Sequence, residues 1–283
     1  MSELTPAEKL VAAKKRMRYE KVREFASKYS FPLDQFQIDA CQFLEEGHGV
    51  LVAAPTGAGK TIVGEFAAFL AMQTGRRCFY TAPIKALSNQ KYQDLKEMFG
   101  EASVGLLTGD TNINSEAAIV VMTTEVLRNM LYASPRALAD LGFVVMDEVH
   151  YLADKFRGAV WEEVLIHLAD SVQVVSLSAT VSNAEEFGDW LKAVRGSTEV
   201  ILSENRPVPL YQHVLFGNRL LDLFVDEGKV NPEIISLEKE AARKVRISHQ
   251  SSGRGHKSSQ NWRNPESFQL GSKQLSRPDV IEK

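Results

Sequence analysis

The sequence has 283 residues, of which 44% are hydrophobic and 24% charged, a composition typical of a folded globular protein. Charged residues or glycines interrupt every low-polarity stretch within about ten residues, short of the ~18 apolar residues of a membrane-spanning helix, so we expect no membrane span. The N-terminus lacks the apolar region of a secretory signal, and Cys41 and Cys78 match no metal or redox spacing. We therefore expect a cytoplasmic, monomeric protein with reduced, buried thiols.

The net charge of −3 is distributed unevenly along the chain. Residues 1–30 carry 8 basic and 4 acidic side chains, and residues 243–277 carry 8 and 1, whereas the 31–242 segment between them carries 16 and 29. Basic segments attract polyanions, but solvated tails have the same composition. Contact of these basic ends with nucleic acid therefore stays open.

The predicted elements begin with one basic amphipathic helix over residues 6–29, since Thr5 is a suitable N-cap and Pro6 suits the first helical position. Seven short β-branched runs then alternate with helical patterns: 49–55 (GVLVAAP), 78–83 (CFYTAP), 103–109 (SVGLLTG), 118–124 (AIVVMTT), 143–150 (FVVMDEVH), 172–180 (VQVVSLSAT) and 199–203 (EVILS). Runs of this kind indicate a parallel sheet covered on both sides, so the predicted fold is an α/β doubly wound domain. Ligands of such domains bind outside the carboxyl ends of the strands.

The first of these runs leads into a small-residue turn, and the whole stretch reads VLVAAPTGAGKT. In a phosphate-binding loop, backbone N–H groups surround the phosphates, a lysine neutralises the outer ones and a Ser or Thr hydroxyl binds Mg²⁺. Gly57, Gly59, Lys60 and Thr61 meet these requirements. Ala54 stands where the general pattern has glycine, so the turn must begin in a conformation that alanine tolerates. A chance match on a strand-to-helix turn is the alternative.

Two later strands also end in polar groups. The run FVVMDEVH places Asp147 and Glu148 at the end of an apolar strand, where the first can order Mg²⁺ and the second can orient or deprotonate water. An acidic pair at a strand end is often only a solvated turn, but a phosphate loop in the same sheet favours the functional interpretation. The run SLSAT ends in Ser178 and Thr180, whose hydroxyls could bond to the turn that contains His150.

Taken in order, APTGAGKT, APIKALSNQK, TGD, TTE, DEVH and SAT resemble the motif series of the first motor domain of superfamily-two helicases. The DEVH form, with FPLDQFQ, FRGAVWEE and ENRPVPL, is similar to the superkiller-type subfamily and to its bacterial HelY-type members. The resemblance covers residues 31–216 well. It implies a RecA-like fold that uses ATP and Mg²⁺, and alanine at position 54 is normal in that family. No role is assigned to Arg157 or Trp161 of FRGAVWEE.

The resemblance also implies a role for individual residues of the nucleotide site. Phe31 would stack on adenine and Gln37 would read its edge, while Thr61 and Asp147 would hold Mg²⁺ and Glu148 would act as the catalytic base. The residues implied to bind the nucleotide are Phe31, Gln37, Pro55, Thr56, Gly57, Ala58, Gly59, Lys60 and Thr61, and those implied to couple nucleotide to strand are His150, Ser178 and Thr180.

A second set of residues is implied to contact nucleic acid: Pro83, Lys85, Ala86, Gln90, Lys91, Thr108, Gly109, Asp110, Thr123, Thr124, Glu125 and Arg128. Hydroxyls, helix N-termini and a few lysines suit a phosphodiester backbone, so we expect sequence-tolerant binding that weakens with salt. RNA is the favoured partner from the family resemblance. The residues themselves do not separate RNA from DNA, because only contacts to the 2′-OH would distinguish them.

The pattern weakens after Phe216. We predict a helical turn over 217–224, a helix over 231–245 and a flexible linker over 249–275. The predicted organisation is a basic N-terminal helix over 1–30, an ATP-binding domain over 31–216 and a polar segment over 217–283.

A helicase of this class needs a second motor domain, which supplies arginines to the nucleotide. No second strand series follows residue 216, and RPDVIEK resembles the lead-in to such a domain. We therefore expect this chain to be the N-terminal part of a longer motor. Two other functions are weighed against the helicase: a small-molecule kinase or related phosphate-loop transferase, and a module that binds nucleotide and strand without appreciable turnover.

Overall fold

The computed structural model describes residues 18–133, 138–153, 158–179, 184–207, 209–226, 228–240 and 280–281. The chain falls into two compact units that divide after Pro207. Within the described ranges, no helix combines the length and the apolar character that crossing a membrane requires. The domain boundaries predicted at residues 30 and 216 stay predictions.

The first unit is built on an eight-stranded sheet. In chain order its strands are β1 (Gly49–Ala53), β2 (Arg77–Ala82), β3 (Val104–Leu107), β4 (Asn112–Ile113), β5 (Ile119–Thr123), β6 (Leu141–Met146), β7 (Gln173–Ser178) and β8 (Thr198–Leu202). Their order across the sheet is β4-β3-β5-β2-β6-β7-β1-β8, and neighbours are parallel except β4, which runs antiparallel to β3. All seven predicted strands are confirmed. The two-residue edge strand β4 was not predicted, because it is exposed and too short to leave an apolar pattern.

Seven helices of the described residues accompany this sheet: α1 (Glu20–Ala26), α2 (Gln35–Glu45), α3 (Thr61–Thr74), α4 (Lys85–Phe99), α5 (Thr124–Ala133), α6 (Gly158–His167) and α7 (Ala184–Arg195). Short 3₁₀ helices lie at Glu101–Ser103 and Val149–Ala153. The N-terminal helix was predicted to reach residue 29, but it ends at Ala26 and a turn follows. The part of that prediction before residue 18 lies outside the described residues.

The helices cover both faces of the sheet, which confirms the predicted doubly wound α/β fold. Side chains of α1 to α4 form one core with Val50 and Val52, whereas α5 to α7 form a second core on the opposite face with Leu51. Phe25 is fully buried in the first core, and its ring contacts two phenylalanines of α3. Burial of one such ring stabilises the fold by about 1.5–3 kcal/mol. Because each central strand is buried on both faces, its sequence is a continuous apolar run.

The second unit contains two small antiparallel sheets. Strand β9 (His213–Phe216) pairs with β10 (Arg219–Asp222) and with β13 (Val280–Ile281), and β11 (Phe224–Asp226) pairs with β12 (Lys229–Val230). The helical turn predicted over 217–224 is therefore wrong. Gly217 takes a φ of +61° between β9 and β10, which suits a tight hairpin. The predicted helix over 231–245 is confirmed over 232–240, and the predicted linker over 249–275 lies outside the described residues.

Candidate functional site

The functional segments meet at one edge of the sheet, where the parallel strands end. The phosphate loop follows β1, the acidic pair follows β6 and Ser178 ends β7, and these three strands are adjacent in the order β6-β7-β1. The predicted nucleic-acid segments follow β2, β3 and β5, which are adjacent in the order β3-β5-β2. We call the first group of segments the nucleotide half of the edge, and the second group, which is predicted to contact a nucleic-acid strand, the strand half. The two halves meet where β2 pairs with β6.

The phosphate loop tolerates alanine at its first position. Ala54 is fully buried and its N–H donates to the Ser178 carbonyl at 3.1 Å, as in a continuation of the sheet. Among the described residues that are not glycine, only Asn114 and Glu148 have a positive φ, so Ala54 needs no glycine-like conformation. Gly57 and Gly59 take φ values of +85° and +80° further along the loop. A side chain at Gly57 would meet no atom within 4 Å, so the loop surface is open there.

The Lys60 side chain folds back onto the phosphate loop and bonds to its backbone. Its Nζ donates to the carbonyl oxygens of Ala54 at 2.7 Å and Pro55 at 3.0 Å, and the residue is 9% exposed. Burial lowers the pKa of Lys60, and the charges of Glu148 and Asp147 act in the opposite direction. The ammonium is therefore poorly solvated and faces two carboxylates across the loop. Such a group gains from an incoming anion.

Gln37 supports this loop from α2. Its Nε2 donates to the carbonyl oxygens of Ala58 at 3.3 Å and Gly59 at 3.0 Å, while its Oε1 accepts from the Asp34 N–H at 2.9 Å as part of a capping box. The buried amide is thus bonded to the loop rather than standing free. Phe31 is 51% exposed, with its ring centroid 5.4 Å from that of Tyr29. The structure thus brings Gln37 to the loop, whereas the contact it gives for Phe31 is the Tyr29 ring.

Asp147 is fixed through three hydrogen bonds. Its N–H donates to the Thr81 carbonyl at 3.0 Å, its Oδ1 accepts from the Glu148 N–H at 2.9 Å, and its Oδ2 accepts from the Tyr80 hydroxyl at 2.9 Å. The carboxylate is therefore held by a side chain of β2 and by the backbone of the residue that follows Asp147. Glu148 has a left-handed φ of +53°, a conformation that costs a residue with a side chain about 1–3 kcal/mol.

Glu148 and His150 face each other after β6. His150 Nδ1 lies 3.2 Å from Glu148 Oε2, but neither atom makes an aligned hydrogen bond and both are inaccessible to solvent. Burial, followed by the charge of Asp147, raises the pKa of Glu148, and His150, Lys60 and Lys91 oppose the rise. A carboxylate with a raised pKa is a stronger base, which suits it to accept a proton from water.

The structure separates Lys91 from the other predicted nucleic-acid contacts. Its Nζ lies 3.5 Å from Thr61 Oγ1 and 3.3 Å from Asp94 Oδ2, so the ammonium belongs to the nucleotide half of the edge. Glu65, one turn beyond Thr61, accepts a 2.5 Å hydrogen bond from the Tyr29 hydroxyl. Burial raises the pKa of Glu65, and the Tyr29 hydrogen bond and Lys91 oppose the rise. Sequence reasoning did not select Glu65, Tyr29 or Tyr80.

The remaining strand-half residues surround the carboxyl ends of β2, β3 and β5. Lys85 Nζ lies 2.5 Å from Asp110 Oδ2, and Thr108 Oγ1 donates to Asp110 Oδ1 at 3.0 Å, so two predicted segments are joined. Arg128 Nε lies 3.9 Å from Glu163 of α6. The exposed members of the predicted set are Lys85, Ala86, Gln90, Gly109 and Asp110, the half-buried ones are Thr123, Glu125 and Arg128, and the buried ones are Pro83, Thr108 and Thr124.

Two of the predicted coupling residues lie in the nucleotide half. Ser178 is buried beside Ala53 in the β1–β7 register, and its carbonyl accepts from the loop N–H of Ala54. His150 lies beside Glu148. Thr180, for which a coupling role is predicted, and Arg157, for which none is, lie outside the described residues.

Thr61 and Asp147 suit an Mg²⁺ ion that arrives with a nucleotide. Over the described part of the chain, no group of three or more His, Cys, Asp or Glu side chains is placed to hold a metal ion. Thr61 begins α3 directly after the loop, and Asp147 presents a hydrogen-bonded carboxylate after β6, which β7 separates from β1. Mg²⁺ is commonly bound by one or two protein oxygens together with phosphate oxygens and water. The donor set fits that arrangement.

The sequence that forms the phosphate loop and the acidic pair is similar to that of a known protein family. A family model described as DEAD/DEAH box helicase matches residues 34–187, more than half of the chain, and the match contains the phosphate loop and the acidic pair. The chain belongs to the DEAD/DEAH box helicase family. The predicted helicase resemblance and the RecA-like fold are thereby confirmed.

Individual DEAD/DEAH box helicases extend the comparison. A probable helicase HelY of Mycobacterium leprae is 62% identical over 216 residues, 75% of this chain and 24% of that protein. The chloroplastic DExH-box ATP-dependent RNA helicase DExH15 of Arabidopsis thaliana is 46% identical over 213 residues, 73% of this chain and 18% of that protein. The structure of Mycobacterium smegmatis helicase Lhr, bound to single-stranded DNA and AMP-PNP, is 28% identical with a TM-score of 0.51, covering 65% of this chain and 27% of that one. The chain thus spans about a quarter or less of the two curated relatives.

Proposed function

We propose that this chain is the ATP-binding and ATP-hydrolysing half of an ATP-dependent nucleic-acid helicase, with RNA as the preferred strand. The observation that carries the proposal is the convergence of Lys60 and Thr61 with Asp147 and Glu148 at one sheet edge, next to a second group of segments suited to a phosphodiester backbone. A small-molecule kinase does not account for that second group.

The loop and Lys60 would bind the nucleotide phosphates. The open surface at Gly57 leaves room for them, and Lys60 would exchange its two carbonyl partners for phosphate oxygens. Thr61 and Asp147 would hold Mg²⁺, which when bound supplies neutralisation of the charge on the outer phosphates. The exposed ring of Phe31 offers a stacking surface for the base.

Glu148 would orient the attacking water and accept its proton. Its raised pKa, caused first by burial, makes the carboxylate more basic than an exposed one. Once Glu148 is protonated, its carboxyl group would donate a hydrogen bond to His150 Nδ1, which lies 3.2 Å from Glu148 Oε2.

The preference for RNA is supported by a relative and opposed by a structural neighbour. The Arabidopsis relative is an RNA helicase by name at 46% identity, whereas the Lhr structure contains single-stranded DNA at 28% identity. The higher identity favours RNA. Strand-half residues such as Lys85 and Thr108 suit the phosphates that both polymers share.

Paired variants of Lys60 and Glu148 test the proposal. Lys60→Ala should weaken ATP binding about tenfold or more, because a phosphate contact is lost. Glu148→Gln should bind ATP as tightly as the wild type while turnover is abolished, because only the water-directed group changes. The measurements are calorimetric ATP affinity and phosphate release with and without single-stranded RNA or DNA of matched sequence. Equal loss of ATP affinity in both variants would refute the assignment.

A further inference from the structure

Tyr80 is a buried tyrosine in the middle of the sheet, and its polar tip lies at the nucleotide site. It occupies β2 between β5 and β6, opposite Val121 on one side and Val145 on the other, and is fully buried. Its hydroxyl donates to Asp147 Oδ2 at 2.9 Å. A buried tyrosine hydroxyl needs a partner, and here that partner is the carboxylate that the sequence predicts as an Mg²⁺ ligand.

The tyrosine ring is held in a close-fitting slot. Gly64 of α3 faces it, and a Cβ at that glycine would lie 2.9 Å from Tyr80 Cε2 and 3.5 Å from the hydroxyl oxygen. Contacts below about 3 Å are repulsive, so Gly64 leaves the space that the ring fills. The position of the hydroxyl is therefore set by the packing of the Tyr80 ring against α3 and by the backbone of β2.

The phenol can act only as a donor toward Asp147. An ionised carboxylate has no proton to give, so the Tyr80 hydroxyl is the donor of this hydrogen bond. With Oδ2 held by Tyr80 and Oδ1 by the Glu148 N–H, the plane of the Asp147 carboxylate is fixed before any ion arrives. Each oxygen retains a further lone pair for a ligand.

We propose that Tyr80 is a positioning residue that orients the Asp147 carboxylate for Mg²⁺ binding. The inference rests on the proposed nucleotide site and adds a residue that the helicase motifs in this sequence did not select. Removing a group that hydrogen-bonds to a metal-binding side chain commonly lowers the affinity for the metal about 10–100-fold. Tyr80 also lies three residues before Pro83, on the strand that leads into the predicted nucleic-acid segment.

The test is the Mg²⁺ dependence of ADP binding by the whole chain. Tyr80→Phe removes the hydroxyl and keeps the ring. We expect ADP affinity in EDTA to stay within about twofold of the wild type, while the Mg²⁺ concentration that half-saturates the gain in ADP affinity rises about tenfold. Calorimetry of ADP across a series of Mg²⁺ concentrations measures both quantities without any turnover.

Two further variants separate orientation from general packing. Tyr92→Phe is the matched control, because Tyr92 is a buried tyrosine of α4 that makes no contact with Asp147; it should leave the Mg²⁺ requirement unchanged. Gly64→Ala keeps the Tyr80 hydroxyl but crowds the ring, so it should raise the Mg²⁺ requirement as Tyr80→Phe does. In an Asp147→Asn background, Tyr80→Phe should have no further effect.

An unchanged Mg²⁺ requirement in Tyr80→Phe, with wild-type chain that does respond to Mg²⁺, would overturn the inference and leave the proposed function standing. If Tyr80→Phe does not fold, Gly64→Ala decides by the same measurement. A wild-type chain whose ADP binding ignores Mg²⁺ would overturn the proposed nucleotide site and the role of Tyr80 together.

Discussion

At the scale of single residues, the site is held together by contacts between positions far apart in the sequence. Tyr80 and Asp147 are 67 residues apart, and Lys91 and Thr61 are 30 apart. Motif spacing identifies Asp147 and Thr61 because their neighbours in sequence carry the pattern. The residues next to Tyr80 carry no motif, because Tyr80 is one of several residues in an apolar run. The sequence signal for its role is that a buried tyrosine hydroxyl requires a hydrogen-bond partner.

Glu148 is predicted to destabilise the folded chain at neutral pH. Its folded-state pKa is raised, so the folded chain binds a proton more tightly than the unfolded chain, and this contribution to stability is lost as the pH rises through the raised pKa. Glu148→Gln removes the ionisation, so it should raise the unfolding midpoint by about 1–3 °C at pH 7 to 8. The gain should shrink toward zero as the pH falls to about 4.5, the ordinary value.

Thermal unfolding in EDTA without nucleotide, repeated from pH 5 to 8, measures this effect. Glu97→Gln is the matched control, because Glu97 is an exposed carboxylate of α4, and its effect should not change over the same range. A Glu148→Gln variant that is less stable than the wild type at neutral pH would contradict the prediction.

Gln37 is predicted to affect both the loop and the choice of base. Its amide bonds Ala58, Gly59 and the Asp34 N–H, but an amide can make more bonds than these, so an adenine edge can still be read. Gln37→Ala should weaken ATP and GTP binding alike through the loop. It should also reduce the preference for ATP over GTP, because a lost base contact is worth about 1–3 kcal/mol.

Competition between ATP and GTP for the wild type and the variant measures that preference. Gln35→Ala is the control on the same helix, since Gln35 is exposed and its amide donates to Asp39 Oδ1 at 2.7 Å. If Gln37→Ala lowers both affinities but leaves the ratio intact, Gln37 supports the loop and the base is read elsewhere.

At the scale of elements, the strands were predictable and the small edge structures were not. Central strands such as β1 and β6 are buried on both faces, so each leaves a continuous apolar run that periodicity detects. The sequence pattern of β9 and β10 does not predict a hairpin, because the residues are mostly exposed and their polarity alternates weakly. Its real signal was the Gly217-Asn218 pair, which is typical of a two-residue hairpin turn.

The ion pair between Lys85 and Asp110 is predicted to compete with nucleic acid for the same lysine. It joins the start of α4 to the loop after β3, and both side chains are about half or more exposed. The neighbouring Lys85 lowers the pKa of Asp110, so the carboxylate is charged throughout the working range. A phosphate must displace this carboxylate from Lys85, and exposed ion pairs of this kind are weak.

Asp110→Asn should therefore tighten single-stranded RNA binding about two- to fivefold at low salt. The salt dependence should become steeper, because Lys85 then contacts phosphate more fully. Fluorescence anisotropy over a range of salt concentrations measures both effects. Glu101→Gln makes the same charge change on the exposed turn before β3 and should have a smaller effect; an equal gain in both variants would mean that net charge alone is responsible.

At the scale of the whole molecule, the chain offers one side of a nucleotide site. The phosphate loop, Asp147 and Glu148 lie at the edge where the parallel strands of the first unit end, whereas Arg77 lies at the opposite edge, where β2 begins, and Arg195 ends α7 shortly before β8 begins there. Arginines that face the transferring phosphate are worth about 10³–10⁵ in rate in related phosphate-loop enzymes. The aligned relatives are several times longer than this chain.

Residues 1–283 alone should therefore bind ATP but hydrolyse it slowly, because the sheet edge described above supplies no arginine that faces the transferred phosphate. They should separate no duplex, because this edge contacts a nucleic-acid strand from one side only. A longer protein that carries a second motor domain should hydrolyse ATP at least about 10³-fold faster in the presence of RNA. Phosphate release and strand separation, with Glu148→Gln to set the background, compare the two proteins. RNA-stimulated turnover and unwinding by residues 1–283 alone would contradict the prediction that this sheet edge needs a second motor domain.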